Sequence, residues 1–402
     1  MGEIADWSSG GTPRRTEESY YGGDIPWAVI GDLNDEVVSQ CKGSITHEGL
    51  SNSSCKIVRP GTILIAMYGS IGKLGIAGMP MATNQAIASA VPRISSQYLF
   101  YFLLAQRSQL AEAGKGATQR NISQTILKAW PIPVAPPMEQ DRIVAVIEEH
   151  FSRLDAVQST LEGGLRSVAA FRRSLLTDAF KVNGTLPHNW QRTEIEEVAK
   201  VQLGRQRSPQ HHAGPQMRPY LRAANVTWAG LSLDDVKQMN FDEGDFETYR
   251  LWPGDLLLNE ASGSPNEVGK PALWNGEIEN CCFQNTLLRL QARDINPAYL
   301  YWYCYMAALT GRFGEAGRGV NIRHLGKQGL ARFPIPVAPK VEQERIVTGL
   351  EEKFQQSSDC EAAIRQAHER VHALRRSILT RAFDGQLVAR STDDEPAMVL
   401  TD

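Results

Sequence analysis

The stretch from Pro131 to Phe180 occurs twice, and nothing else in the chain limits so strongly what it can fold into. It opens Pro131-Ile132-Pro133-Val134-Ala135-Pro136, continues Glu139-Gln140-Asp141-Arg142-Ile143-Val144 and closes Arg172-Arg173-Ser174-Leu175-Leu176-Thr177-Asp178-Ala179-Phe180. The second copy opens Pro334-Ile335-Pro336-Val337-Ala338-Pro339 and continues Glu342-Gln343-Glu344-Arg345-Ile346-Val347. It closes Arg375-Arg376-Ser377-Ile378-Leu379-Thr380-Arg381-Ala382-Phe383. A repeat of this length is a duplicated structural unit.

Each copy predicts a proline-rich lead-in that cannot be helical, because proline lacks an N–H and restrains the residue before it. A helix of about 43 residues should follow, roughly 65 Å at 1.5 Å per residue. Apolar residues recur every seventh position at Ile147, Leu154, Leu161, Val168 and Leu175. A second row carries Ile143, Val157 and Phe171, with His150 and Gly164 as exceptions. The second copy has Leu350, Ile364, Val371 and Ile378 in one row and Ile346, Cys360 and Leu374 in the other, interrupted by Lys353 and Ser357. A sustained heptad predicts a coiled coil, most simply the two helices burying their seams against each other. Gly163-Gly164 costs about 1 kcal/mol per glycine in a helix and marks either a close approach of the partner helix or a bend.

The segments before the helices are related more loosely. Glu3-Ile4-Ala5 with Gly10 corresponds to Glu197-Val198-Ala199 with Gly204, and Pro60-Gly61-Thr62-Ile63-Leu64-Ile65 to Pro253-Gly254-Asp255-Leu256-Leu257-Leu258. Asn84-Gln85-Ala86 corresponds to Gln284-Asn285-Thr286, and Tyr98-Leu99-Phe100-Tyr101 to Tyr299-Leu300-Tyr301-Trp302. Strands are expected at Ile25 to Ile30 and Gly61 to Met67, and a buried helix at Tyr98 to Leu110. The plan is globule, long helix, globule, long helix, and the globules have diverged far more than the helices. The second globule is entered through Leu186-Pro187-His188-Asn189-Trp190, with no counterpart before Glu3. An N-terminally shortened version of the natural plan would show that asymmetry.

Charge separates along the chain although the net charge is only −3. Residues 49 to 138 contain one acid, Glu112, against Lys56, Arg59, Lys73, Arg93, Arg107, Lys115, Arg120 and Lys128. Residues 198 to 233 and 316 to 341 contain none, while carrying Lys200, Arg205, Arg207, Arg218 and Arg222, then Arg318, Arg323, Lys327, Arg332 and Lys340. Basic blocks of this kind are the footprint of a nucleic-acid binder; ordinary solvated charge is the competing reading. No apolar run approaches a membrane span, and Met1-Gly2-Glu3-Ile4 does not begin a signal peptide. The six cysteines show no metal spacing and read as buried thiols of a reducing, cytoplasmic compartment. Met67-Tyr68-Gly69-Ser70-Ile71-Gly72-Lys73-Leu74 is too short for a phosphate loop and reads as a turn. His211-His212 and His324 lack companions at metal spacing, and no Gly-x-Ser-x-Gly elbow is present.

The segments Gly10-Gly11-Thr12-Pro13, Gly23-Asp24-Ile25-Pro26-Trp27 and Thr118-Gln119-Arg120-Asn121-Ile122, with both Pro-Ile-Pro-Val-Ala-Pro…Glu-Gln…Arg-Ile-Val runs, resemble the DNA-specificity subunit of a type I restriction–modification enzyme. The resemblance covers nearly the whole chain. It implies an α+β architecture in which two mixed, strand-rich target recognition domains are separated by two long helices, packed as an antiparallel coiled coil with a pseudo-two-fold repeat. The expected boundaries are a first recognition domain over 1–135, a helix over 136–182, a second recognition domain over 183–338, a helix over 339–390 and an acidic, disordered tail over 391–402. It implies further that each globule reads half of a split sequence in double-stranded DNA, that the helices set the spacing, and that two modification subunits dock on them. Restriction subunits would join through those. The chain lacks the Asn-Pro-Pro-Tyr or Asp-Pro-Pro-Tyr segment of an adenine methyltransferase, so S-adenosylmethionine, ATP and magnesium are expected in partners, with no cofactor or metal here. A coiled-coil scaffold that does not read DNA is the alternative.

Arginine pairs with guanine, and asparagine or glutamine with adenine. In the first globule the candidates are Arg14, Arg15, Lys73, Asn84, Gln85, Lys115, Gln119, Arg120 and Asn121, with residues 114–121 forming a polar, glycine-containing loop suited to close approach. In the second they are Arg205, Arg207, Ser208, His211, Arg222, Asn225, Arg318, Asn321 and Arg323. A capping or surface role competes at each, and phosphate contacts usually outnumber base contacts. The duplicated Arg172-Arg173 and Arg375-Arg376 are the candidate partner-docking residues.

Overall fold

The computed structural model describes residues 1–114, 121–182, 184–208, 212–262, 267–316 and 323–389. The chain divides into two units, Met1–Leu161 with Gln366–Asp402, and Glu162–Arg365. Each long helix contributes to both.

In the first globule β1 (Ala5–Ser9), β2 (Tyr21–Ala28), β3 (Glu36–Val38), β4 (Gly43–Ile45), β5 (Ile57–Val58), β6 (Ile63–Ala66), β7 (Leu74–Ala77), β8 (Met81–Thr83) and β9 (Ile87–Pro92) precede the helix bundle, with α1 (His47–Ser51) among them. They form one sheet in the order β1-β9-β6-β7-β3 and another in the order β4-β2-β8-β5. β6 is buried on both faces. Ile63 and Ile65 pack into the core under α2 (Ser96–Ala113), whereas Leu64 and Ala66 pack into a second core with Leu33, Val38 and Met81. This is why the run reads as continuously apolar rather than alternating. Ser95 caps α2 by accepting from the Tyr98 N–H at 3.3 Å. α3 (Gln124–Ala129) then leads to the Pro-rich lead-in and α4 (Pro137–Ala179), 43 residues long.

The second globule repeats the plan with β10 (Gln191–Glu194), α5 (Ile195–Val198), β11 (Ala199–Leu203), β12 (Met217–Leu221), β13 (Val226–Thr227), β14 (Gly230–Leu231), β15 (Lys237–Asn240), α6 (Glu243–Tyr249), β16 (Leu256–Asn259), β17 (Ala261–Ser262), β18 (Pro271–Leu273), β19 (Cys282–Phe283) and β20 (Leu287–Ala292). α7 (Pro297–Leu309), α8 (Arg312–Ala316), β21 (Arg323–His324), α9 (Lys327–Ala331), β22 (Pro334–Val337) and α10 (Lys340–Phe383), 44 residues long, complete it. Its main sheet runs β11-β20-β16-β18, matching β1-β9-β6-β7 strand for strand. The smaller sheet repeats as well: β12 pairs with β19 in parallel and β15 antiparallel, as β2 does with β8 and β4. β16 is also two-sided, with Leu256 and Leu258 in one core and Leu257 in the other.

The helix row at Ile147, Leu154, Leu161, Val168 and Leu175 faces inward as expected: Ile147 is buried and the others are half-buried. The second row is corrected in part. Ile143 is buried and Ile346 half-buried, but Val157, Phe171 and Leu374 are 45%, 48% and 51% exposed, and Cys360 is exposed too. The inward positions lie one residue further along, at Phe151, Gln158, Leu165 and Arg172, and at Phe354, Glu361, His368 and Arg375. That row is partly polar, which hid it from a reading of apolar periodicity. Gly164 is a close approach, because a Cβ there would lie 3.1 Å from Ile364 Cδ1. The cysteines are free, and four of them (Cys55, Cys281, Cys282 and Cys304) are buried.

Each helix end is anchored in a globule. Phe383 stacks edge-on against Tyr98 and Phe102 of α2 at 5.2 and 5.3 Å between centroids, and Phe180 does the same against Tyr299 and Tyr303 of α7 at 5.1 and 5.3 Å. Among the described residues no helix is long and apolar enough to cross a membrane.

Candidate nucleic-acid interface

The pairing registers bring the glycine and amide motifs of the first globule to one end of its main sheet. Ser9 pairs with Ala88, Ala66 with Ile87, and Ile65 with Leu74. The ends of β1 and β6 therefore lie beside the starts of β7 and β9. Gly10 donates to Ile87 O at 3.2 Å, Gly11 to Thr83 O at 2.8 Å and Met67 to Ala86 O at 2.8 Å. The 67–74 segment is the β6–β7 turn, as expected, with Lys73 N–H donating to Ser70 O at 3.1 Å. Asn121 bridges to Tyr68, which brings Asn121 to the same end.

The second globule assembles an equivalent end. Leu203 pairs with Leu288, and Asn259 with Leu287. Gly204 donates to Leu287 O at 3.1 Å, Gln284 to Leu221 O at 2.9 Å and Glu260 to Thr286 O at 3.0 Å. Ser262 pairs with Arg323 where Tyr68 meets Asn121 in the first. Gly10 and Gly204 are glycines for one reason: a Cβ would stand 2.1 Å from Thr83 O or 2.2 Å from Gln284 O. The loops that differ most between the globules thus hang from a shared backbone scaffold, the usual arrangement for a binding site.

At the first end Arg14, Arg15, Gln85 and Asn121 are exposed. Gln85 accepts the Thr12 hydroxyl. Asn84 is half-buried and caps its own turn, accepting from Ala86 N–H at 3.1 Å. Lys73 is half-buried, its Nζ 3.5 Å from Ile30 O. Lys115, Gln119 and Arg120 lie outside the described residues. Tyr68, which sequence reasoning passed over, is 39% exposed at this end; its only signal was an aromatic in a turn closing a buried strand.

At the second end Arg207 is exposed and Ser208 half-buried. Two expected readers hold the fold together instead. Arg205, 6% exposed, pairs with Asp245, donates to Asn240 O and stacks 4.9 Å over Phe241. Asn225, 2% exposed, closes a turn by donating to Ser232 O at 2.9 Å and accepting from Arg222 N–H at 3.0 Å. Arg222 pairs with Asp235, and Arg218 with Glu243 at 3.1 Å. Lys237, with Arg222, holds the Asp235 carboxyl below the usual range. The acid-free window 198–233 is therefore matched in space by acids at 235–245, because β15 and α6 fold back against β12. His211, Arg318 and Asn321 lie outside the described residues, and Arg323 is described only as backbone.

Arg172 and Arg375 join helix to helix: Arg172 pairs with Glu361 at 2.7 Å, and Arg375 pairs with Asp155. Arg173 and Arg376 are exposed, and so are their neighbours Phe171 and Leu374. No group of three or more His, Cys, Asp or Glu able to hold a metal occurs among the described residues.

A family profile, the type I restriction modification DNA specificity domain, matches twice, over residues 1–164 and 187–369. The chain belongs to the type I restriction–modification DNA specificity family. Members of this specificity family are non-catalytic subunits, and catalysis lies with their partners. Among specificity subunits, the chain is similar to that of the MjaIX enzyme of Methanocaldococcus jannaschii, 26% identical over 367 residues that cover 84% of this chain and 82% of that one. It is 23% identical to the EcoKI specificity subunit of Escherichia coli, covering 85% and 78%, and 29% identical to the EcoBI subunit, covering 85% and 77%. Its fold is similar to a chain solved to show complex assembly and conformational transition of the type I R-M system, with TM-score 0.77, 18% identity and coverage of 96% and 97%. It is also similar to the HsdS subunit from Thermoanaerobacter tengcongensis, with TM-score 0.54, 19% identity and coverage of 95% and 97%.

Proposed function

We propose that the chain, acting in the cytoplasm, reads a two-part, asymmetric sequence in double-stranded DNA, one half with each globule. The observation that carries this reading is the repeated sheet end: the same glycine approach and the same strand ends carry different side chains in the two halves. Unlike heads on a duplicated frame call for an unlike, divided target. Arg14, Arg15, Gln85, Asn121 and Tyr68 face the first half-site, and Arg207 with Ser208 the second.

The helices are read as an antiparallel pair. Contacts of Gly164 with Ile364 and of Arg172 with Ser357, further along one helix and further back along the other, support this. Their length sets the distance between heads. Two modification subunits, bringing S-adenosylmethionine, dock at the duplicated exposed pairs Phe171 with Arg173 and Leu374 with Arg376. Restriction subunits, with ATP and magnesium, attach through them, and this chain binds no cofactor.

Methylation mapping of DNA exposed to the assembled complex tests the reading. A bipartite motif with two unlike halves is expected. Methylation without sequence preference, with salt-independent DNA binding, would return the chain to the scaffold alternative.

A further inference from the structure

One buried side chain in each half touches globule, lead-in and helix at once. Gln140, 3% exposed in the first turn of α4, donates from Nε2 to Ala135 O at 2.7 Å and accepts from Ser95 N–H at 3.0 Å. Gln343, 1% exposed in the first turn of α10, donates to Ala338 O at 2.7 Å and accepts from Asn296 N–H at 2.9 Å. Ser95 and Asn296 are the N-caps of α2 and α7. A tyrosine completes each junction: Tyr98 Oη donates to Pro133 O and Tyr299 Oη to Pro336 O, both at 2.8 Å.

The lead-ins need such fasteners. Their prolines have no N–H to give to a backbone ladder, although β22 of the second lead-in pairs with β10, and a buried carbonyl outside such a ladder must be met by another donor. A buried amide satisfied at both ends holds one geometry, because each alternative leaves a polar group unpaired at low dielectric. The globules have diverged, yet this arrangement agrees to within 0.1 Å in each bond. Internal globule stability would not require the same residue pair at the same joint twice. A common exit angle of the helix from each globule would.

We propose that Gln140 with Tyr98, and Gln343 with Tyr299, are positioning residues that fix the angle between each reading head and its helix, and so determine which spacer length is accepted. This rests on the bipartite reading above. The pairs touch no DNA; they act through the joint.

The test uses the full complex on a DNA set with both half-sites constant and the spacer native, one base pair shorter or one longer. Gln140→Met keeps length and bulk and removes both hydrogen bonds. Preference for the native spacer should fall roughly tenfold, the equivalent of two net hydrogen bonds, with base preferences in both half-sites unchanged. Tyr98→Phe keeps the ring against Phe383 and should lower it less, in the same direction, which covers the case in which Gln140→Met does not fold. Gln343→Met and Tyr299→Phe should behave alike. Unchanged spacer preference in folded, assembled variants overturns the proposal, and so does a change confined to the bases of one half-site. A wild-type complex with no bipartite target would instead remove the underlying reading.

Discussion

Arg172 of the first long helix meets Glu361 of the second at 2.7 Å, and also donates to Ser357 at 2.7 Å and Ser358 at 3.0 Å. The second copy repeats the device, with Arg375 paired to Asp155 and lying 4.9 Å over Phe151, as Arg172 lies 5.7 Å over Phe354. One arginine of each Arg-Arg-Ser segment thus belongs to the frame, and its neighbour is left outward.

Arg172→Ala should lower the stability of the helix pair by about 2 kcal/mol, since it removes a partly buried ion pair and its hydroxyl partners. Arg173→Ala should change stability by less than about 0.5 kcal/mol while weakening assembly with the modification subunit. Thermal unfolding and mass measurement of the complex separate the two effects. A complex of one specificity to one modification subunit in the unmutated protein would remove the docking reading.

The same pair sets an acid limit. The hydrogen bond from Arg365, and then that from Arg172, hold the Glu361 carboxyl below the usual range. A carboxyl depressed on folding contributes stability that is present above its unfolded value of about 4.3 and is lost as pH falls through the folded value. Stability should therefore decline below about pH 4.3, and less steeply in Glu361→Gln. Denaturant midpoints across that range provide the check.

Arg205 and Arg207 stand two residues apart and should differ in kind. Arg205→Ala leaves Asp245 without its partner beside the core and should destabilise the second globule by about 3 kcal/mol. Arg207→Ala should leave stability unchanged and alter only the second half-site, by about 1–3 kcal/mol if it reads a base. If it only lowers affinity and the salt slope, it contacts phosphate. Asn121→Ala should act on the first half-site alone.

Gly163 and Gly164 separate helix propensity from packing. A Cβ on Gly163 would meet nothing nearer than Arg166 at 3.8 Å, so Gly163→Ala should stabilise by up to about 1 kcal/mol. Gly164→Ala pushes on Ile364 and should gain less or lose. Equal gains in thermal unfolding would mean that the contact is not tight.

Inserting one heptad after Leu161 and another after Ile364 preserves the seven-residue repeat and adds about 10.5 Å at 1.5 Å per residue. At about 3.4 Å per base pair the unread spacer should grow by roughly three base pairs, with weaker binding and the same half-sites. An unchanged spacer in a folded, active variant would mean that the helices do not set the distance.

The repeat, the two long helices, the strand at Ile63 to Ala66 and the loose kinship of the globules were all determined by sequence. Each rests on local chemistry: proline's missing donor, a seven-residue period, an apolar run between turn residues. The tertiary structure decided which face of the helix turns inward. Arg172, Glu361 and Arg375 sit in the second row because each finds a partner across the pair, and apolar periodicity cannot register a polar residue with a partner. It also decided which basic residues remain available. Arg205 and Arg222 stand in a window without acids, yet the fold returns Asp245 and Asp235 to them. Charge counted along the chain is not charge in space, and the difference is made by strand pairing over tens of residues.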